Sequence, residues 1–315
     1  MGSLVNIMES VSINNLLNCI QSLNLKNEFE KSVGPKVIDK INKESRNESK
    51  VISLRKFHNW VKSELISRLC ILAGMNNNIN KSLLDIAVGR GGDLFKWQAA
   101  GITNVTGIDI NSESINSKDP SNPGAIMRYS HSKVKNVKVT YLVGDVTDPK
   151  LRIKGKYSFV SCQFALHYFF ESEESLRTVL KLVSSALLPG GYFYGTTVDG
   201  EKVKSLKNLN GKYYSIKKDY PSGSGVFGKG YSFLIKDTAY SFPMKEYLVN
   251  FDYLNKIARE YSLEPEYTEI FDDYYLGNSN ITPFGLLFDK YSGQQLSEEE
   301  KLISGLNSIF IFKKK

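Results

Sequence analysis

Leu54, Phe57, Val61, Leu65 and Leu69 recur at three- and four-residue intervals, which puts them on one face of an amphipathic helix starting near residue 54. Downstream the period changes. Short apolar runs rich in Val, Ile and Tyr appear at 82–88 (SLLDIAV), 104–110 (NVTGIDI), 138–145 (KVTYLVGD) and 156–166 (KYSFVSCQFAL). Helical patterns lie among them: GDLFKWQAAG follows the first run, and 171–188 (ESEESLRTVLKLVSSALL) follows the fourth. Pro189, Gly190 and Gly191 are expected to end that helix and lead into a strand at 192–198 (YFYGTTV). Strands alternating with helices predict an α/β domain, a mostly parallel sheet with helices on both faces. The runs at 231–235 and 244–251, a helix at 252–261 and a terminal strand (NSIFIFKKK) are expected to complete the sheet with antiparallel partners. Residues 199–245 then form an inserted lid. Residues 1–50 are polar, with a helix around 13–31 and weak patterning after Pro35, and read as an N-terminal extension to a domain spanning 51–315.

Composition narrows the class. Hydrophobic content of 41% and charged content of 23% are ordinary for a globular chain. No stretch approaches the roughly 18 uncharged apolar residues of a membrane helix, and the N-terminus lacks the basic-then-apolar pattern of a secretion signal. Cys19, Cys70 and Cys162 have no metal-ligand spacing and read as free buried thiols. Charge is more informative. The net charge is +8 and the pI about 9.1. Residues 128–138 carry Arg128, Lys133, Lys135 and Lys138 without an acid, and 201–220 carry six lysines interleaved with Tyr213, Tyr214 and Tyr220. Each patch alone suits a solvated loop; together they point to an anionic polymer, RNA.

The stretch LLDIAVGRGGDLFKW (83–97) sits at a strand-to-helix turn, where open α/β sheets bind ligands. Gly89, Gly91 and Gly92 let backbone approach a ligand closely. A dinucleotide-binding turn needs glycine where Leu94 stands. Asp85, Asp109 and Asp145 fall at the carboxyl ends of three successive runs, suited respectively to an ammonium or structural water, a pair of ribose hydroxyls and an adenine amine. Singly each suits a loop acid or helix cap. In combination they favour S-adenosylmethionine over NAD.

FHNWVKSELI, LLDIAVGRGGDLFKW, GIDI, VSCQFALHY and LLPGGYF, in that order, resemble the mRNA cap guanine-N7 methyltransferases. The resemblance runs from about 54 to 315, thins over 199–245 and leaves the first 50 residues uncovered. It implies a Rossmann-like class I methyltransferase fold with a seven-stranded sheet. It implies that Lys62, Asp85, Gly89, Gly91, Asp109, Asp145, Gln163 and Phe164 hold S-adenosylmethionine. His167, Tyr168 and Glu246 would hold the cap guanine, Tyr231 and Phe233 would pack on it, and His58 and Asp93 would complete the cap site, with Arg90 and Lys96, which suit a solvated helix face as well, beside the triphosphate. Four positions depart from the family: His58 replaces asparagine and suits a structural role as well as a cap contact. Ala87 replaces glycine, a change tolerated if the backbone there stays extended. Val198 replaces proline, and no aromatic stands near Asn307.

Guanine N7 has a lone pair and no proton to lose, so the implied transfer is a direct in-line displacement that needs neither general base nor metal. Catalysis then rests on holding the reacting atoms in line, with His167, Tyr168 and Glu246 positioning the base rather than moving a proton. The implied partner is capped mRNA, with other capping-enzyme domains or a stimulatory subunit left open and no membrane. Expected locations are nucleus or cytoplasm, or virion for a viral capping enzyme. Two alternatives stand beside this reading: a methyltransferase acting on another RNA or a small molecule, and an inactive capping partner subunit.

Overall fold

The first amphipathic face folds into helix α1 (Ile52–Asn76), and Leu54, Phe57, Val61, Leu65 and Leu69 are all buried along it. The structure, a computed structural model, describes residues 51–76, 81–220, 223, 225–235, 242–266 and 279–315. The helix expected at 13–31, like Cys19, lies outside them. Among the described residues no helix is long and apolar enough to cross a membrane.

The alternating segments become β1 (Ser82–Ile86), α2 (Leu94–Ala99), β2 (Asn104–Asp109), α3 (Ser112–Asn116), α4 (Ala125–Ser130), β3 (Lys138–Val143), β4 (Tyr157–Gln163), α5 (Glu173–Ala186) and β5 (Leu187–Val198). A 3-10 turn, Leu166–Glu171, links β4 to α5. Strands β1 to β5 are parallel, as expected. Pro189, Gly190 and Gly191 do not separate helix from strand; they bulge within β5, whose pairing with β4 shifts register between Tyr157 and Phe159. Pro189 brings no N–H to a ladder, and Gly190 adopts φ +76°, so the insertion is accommodated as a kink rather than a stop.

After β5 come α6 (Gly200–Ser205), β6 (Leu209–Asn210), β7 (Tyr214–Lys218), β8 (Gly230–Ile235), β9 (Met244–Tyr247), α7 (Phe251–Glu260), β10 (Leu263–Pro265), β11 (Ile281–Pro283), α8 (Glu298–Gly305) and β12 (Asn307–Lys314). The main sheet has the order β10-β12-β5-β4-β1-β2-β3, with β11 also on β12. Its seven-place core matches the expected fold, and β12 is the reversed strand. The runs at 231–235 and 244–251 do not join it. They form a separate antiparallel sheet, β6-β7-β8-β9. The reason lies at the edge: β10 pairs with Phe312–Lys314 and β11 with Ser308–Phe310, so the outer side of β12 is already taken.

Two cores flank the main sheet. One gathers the α1 face with Trp97, Tyr194 and Phe284, and the other gathers α5 and α7 around Phe193 and Phe310. Cys70 and Cys162 are free thiols buried within these layers.

Candidate active site

The turn after β1 is fastened to β2. Val88 N–H donates to the Ile108 carbonyl at 2.9 Å, Gly91 N–H to the Val88 carbonyl at 3.1 Å, and Gly89 N–H to Asp109 Oδ2 at 2.7 Å. Gly89 and Gly91 adopt φ +55° and +68°, and a Cβ on Gly91 would meet the Tyr141 hydroxyl at 2.8 Å. Ala87 also has positive φ, +68°. The extended backbone expected at this position is therefore absent, and an L-residue carries the left-handed conformation that glycine would take without strain. The turn is bent hard enough to demand that conformation at three positions out of five.

Asp85 is buried, and its Oδ1 has no hydrogen-bond partner. Burial, reinforced by Asp93, pushes its carboxyl well above the ordinary carboxylate range. An orphaned acceptor at the head of a glycine turn suits a cationic ligand group such as the ammonium of a methionine-like tail. Asp109 sits at the end of β2, and its Oδ1 accepts from Asn111 N–H at 2.9 Å. Each of its oxygens has a second lone-pair position for a ribose hydroxyl. Asp145 lies two residues past β3 and fixes its loop by accepting from Thr147 N–H at 2.8 Å and the Thr147 hydroxyl at 2.6 Å.

Lys62 lies on α1, where its Nζ is 2.6 Å from Asp93 Oδ1; Lys96 Nζ reaches the same oxygen at 2.8 Å. Burial alone would raise the Asp93 carboxyl, but Lys62 and then Lys96 more than offset it and hold it at about 2. Asp93, expected at the cap, is thus enclosed by two ammonium groups and ties α1 to the turn. Lys96, expected beside the triphosphate, is engaged in the same knot. Arg90 turns outward to the Asn122 carbonyl at 2.8 Å and to Glu113 at 3.5 Å.

His58, one helical turn before Lys62, stacks on Phe164 with ring centroids 5.1 Å apart and 22° between planes. Its Nε2 is 3.0 Å from Ser304 Oγ. Burial, with Lys62 adding to it, lowers its pKa from 6.5 to about 3. Phe164 has φ +53°, unusual for a bulky residue, and is held there by its N–H donating to the Thr196 carbonyl at 2.8 Å. Gln163 accepts from the Thr196 hydroxyl at 3.0 Å. One strand end therefore carries Gln163, held by Thr196, and Phe164, set against His58 of α1.

Three residues beyond Phe164, His167 is buried with both ring nitrogens lacking hydrogen-bond partners. Glu246 Oε1, on β9, lies 3.6 Å from its Nε2, and the Tyr168 ring stands edge-on at 4.3 Å between centroids. Burial lowers the His167 pKa, with Glu246 opposing, so the neutral imidazole is favoured near pH 7. Tyr231, expected to pack on the cap, is 1% exposed, and its hydroxyl donates to Glu246 Oε2 at 2.6 Å. The two residues face each other in the β8–β9 register. Phe233 lines a small cavity together with Tyr231, Val198 and Asn307. Asn307 donates to the Ile303 and Ser304 carbonyls at 3.2 Å, closing α8, which explains a polar residue where the family carries an aromatic.

Ser304 and Thr196 were not legible in the sequence as parts of this region; Ser304 is 246 positions from the histidine it contacts. Tyr141 and Phe284 were missed as well. Tyr141 places a buried, unpartnered hydroxyl under the turn, and Phe284 stands edge-on to both His58 and Phe164. Tyr141 had a signal, since with Val139 it forms the inward alternation of β3.

A family model described as the mRNA (guanine-N(7))-methyltransferase domain matches residues 32–314, beginning upstream of α1. An mRNA cap guanine-N(7) methyltransferase of Cryptococcus neoformans is 31% identical over 259 residues, 78% of this chain and 35% of that protein. One of Drosophila melanogaster is 30% identical over 253 residues, 75% of this chain and 58% of that protein. The chain thus spans less than two thirds of the length of either. These relatives are cellular, so the viral expectation gains no support from them. The CcbJ methyltransferase of Streptomyces caelestis superposes with a TM-score of 0.50 at 14% identity, covering 79% of this chain and 89% of that one, a likeness of fold.

Proposed function

The chain belongs to the mRNA cap guanine-N7 methyltransferase family, and from that membership we propose that it methylates N7 of the guanine that caps mRNA. S-adenosylmethionine is the donor, and when bound it supplies an electrophilic methyl on a sulfonium. Asp85, with an unpartnered buried oxygen, fits its ammonium, and Asp109 its ribose. Lys62 would hold its carboxylate, with Gln163 and Phe164 forming the opposite wall and Asp145 at the adenine edge.

The observation that carries the substrate is the group at the end of β4. Glu246 is buried, fixed by Tyr231 and set beside a His167 whose nitrogens are both unsatisfied. Buried polar atoms without partners are costly, and a ligand with matching donors and acceptors removes that cost. Guanine offers both: N1 and N2 protons for Glu246, and acceptors toward His167. Adenine lacks the N1 and N2 donors and would leave Glu246 unsatisfied. Because N7 brings its own lone pair, these residues need only hold the base. His167, kept neutral by burial, orients the base and moves no proton. Positioning of this kind supplies roughly 7–11 kcal/mol of a barrier.

A methyl-transfer assay on GpppG-capped RNA, with the product base analysed, tests the reading. 7-Methylguanine should form on capped RNA and not on ApppG-capped or uncapped RNA. Methylation of any other position or substrate in preference would displace it.

A further inference from the structure

A groove of about 420 Å³ opens directly beside the glycine turn. Gly91, Gly92, Phe95, Arg128, His131 and Lys133 are among the residues that line it. Arg128, whose Nε donates to the Pro123 carbonyl at 3.1 Å, and Lys133 bring two cations, and no acid lines the groove. Glu113 of α3 pairs with Arg90 at 3.5 Å. Phe95 is 63% exposed on α2 and presents its ring to the groove.

Exposed aromatic surface next to cations without acids is the chemistry of a single-stranded nucleic-acid track: bases stack on the ring while phosphates follow the charge. The other basic patch fits less well. Tyr214 turns into the core, Lys202 Nζ donates to the Gly305 carbonyl at 2.8 Å, Lys218 Nζ to the Lys204 carbonyl at 2.7 Å, and Lys204 pairs with Glu201 at 3.2 Å. Half of its six lysines are therefore structural. We infer that the groove from Gly92 to Lys133 carries the first transcribed nucleotides of the capped RNA, with a base stacked on Phe95 and phosphates beside Arg128 and Lys133. This rests on the proposed cap methylation and extends it from the cap to the RNA body.

The test compares kcat/KM for the free dinucleotide GpppG and for a capped ten-nucleotide RNA, in the wild-type protein and in a Phe95→Ala, Lys133→Glu double variant. The wild type should prefer the capped RNA by about tenfold or more, a stacking-sized effect. The double variant should lose that preference, show a shallower salt dependence, and methylate GpppG within about twofold of wild type. Both side chains are exposed, and an unchanged melting temperature confirms an intact fold. Equal kcat/KM for the two substrates in the wild type, or a preference that survives in the double variant, overturns the groove while leaving cap methylation standing. Failure of the wild type to methylate either substrate overturns the proposed function instead. The groove is then judged by fluorescence anisotropy of a labelled uncapped ten-nucleotide RNA: about tenfold weaker binding by the variant supports it, and unchanged binding overturns it.

Discussion

Tyr231 and Glu246 face each other across β8 and β9 with 2.6 Å between the phenol oxygen and Oε2. The bond locks one carboxylate oxygen and leaves the other turned toward His167. Tyr231→Phe keeps the packing and removes the donor. The KM for capped RNA should rise about tenfold or more, the value of a hydrogen bond to a charged group, with kcat within twofold. Steady-state kinetics on GpppG-RNA decides it, and an unchanged KM would mean that Glu246 needs no such support.

His167→Ala should lower cap methylation at least tenfold while S-adenosylmethionine binding, measured by calorimetry, stays near wild type. A parallel loss of both would make His167 a scaffold residue.

Asp85 carries a buried oxygen with no partner, which burdens the ligand-free protein. Asp85→Asn should therefore leave the melting temperature equal or higher while weakening cofactor affinity by tenfold or more. Loss of both stability and binding would show that the carboxylate holds the fold rather than the donor.

His58 has a folded-state pKa of about 3 against an ordinary 6.5. The unfolded chain takes up the proton first as pH falls, so the His58 contribution to stability is complete above about 6.5 and is lost progressively toward 3. His58→Asn should flatten the decline of melting temperature through that window relative to wild type. Parallel curves for the two proteins would refute the role, since His167 contributes with the same sign in both.

Ala87 pays about 1–2 kcal/mol for its left-handed backbone. Ala87→Gly relieves that but loosens the unfolded chain by roughly 0.5–1 kcal/mol. Thermal unfolding should show a net gain of about 0.5–1 kcal/mol, and a lower melting temperature would mean that the methyl group is packed to advantage.

Much of this was legible in the chain. A 3.6-residue period located α1, and short apolar runs located the five parallel strands, because central strands such as β1 and β4 are buried on both faces and carry no polar side. Asp85, Asp109 and Asp145 could be placed because strand ends are marked by the turns that follow. The separate sheet was not legible: β8 and β9 read as strands, but which edge receives them depends on β10 and β11 having filled the side of β12. The same holds for Ala87. Its φ is imposed by the stitching of the turn to β2, through Gly89 and Asp109, and no propensity of alanine announces it. Ser304 reaches His58 only because α8 returns to α1 after most of the chain has intervened.

His167 belongs to the large sheet's rim and Glu246 to the small sheet. A base clasped by both would act as a further rivet between the two, which the Tyr247 hydroxyl already joins by donating to Glu171 Oε1 at 2.6 Å. Cap occupancy should then slow the relative rocking of the sheets, so that hydrogen exchange in Gly230–Ile235 reports on the presence of guanine even though that strand's own carbonyls and amides never meet it.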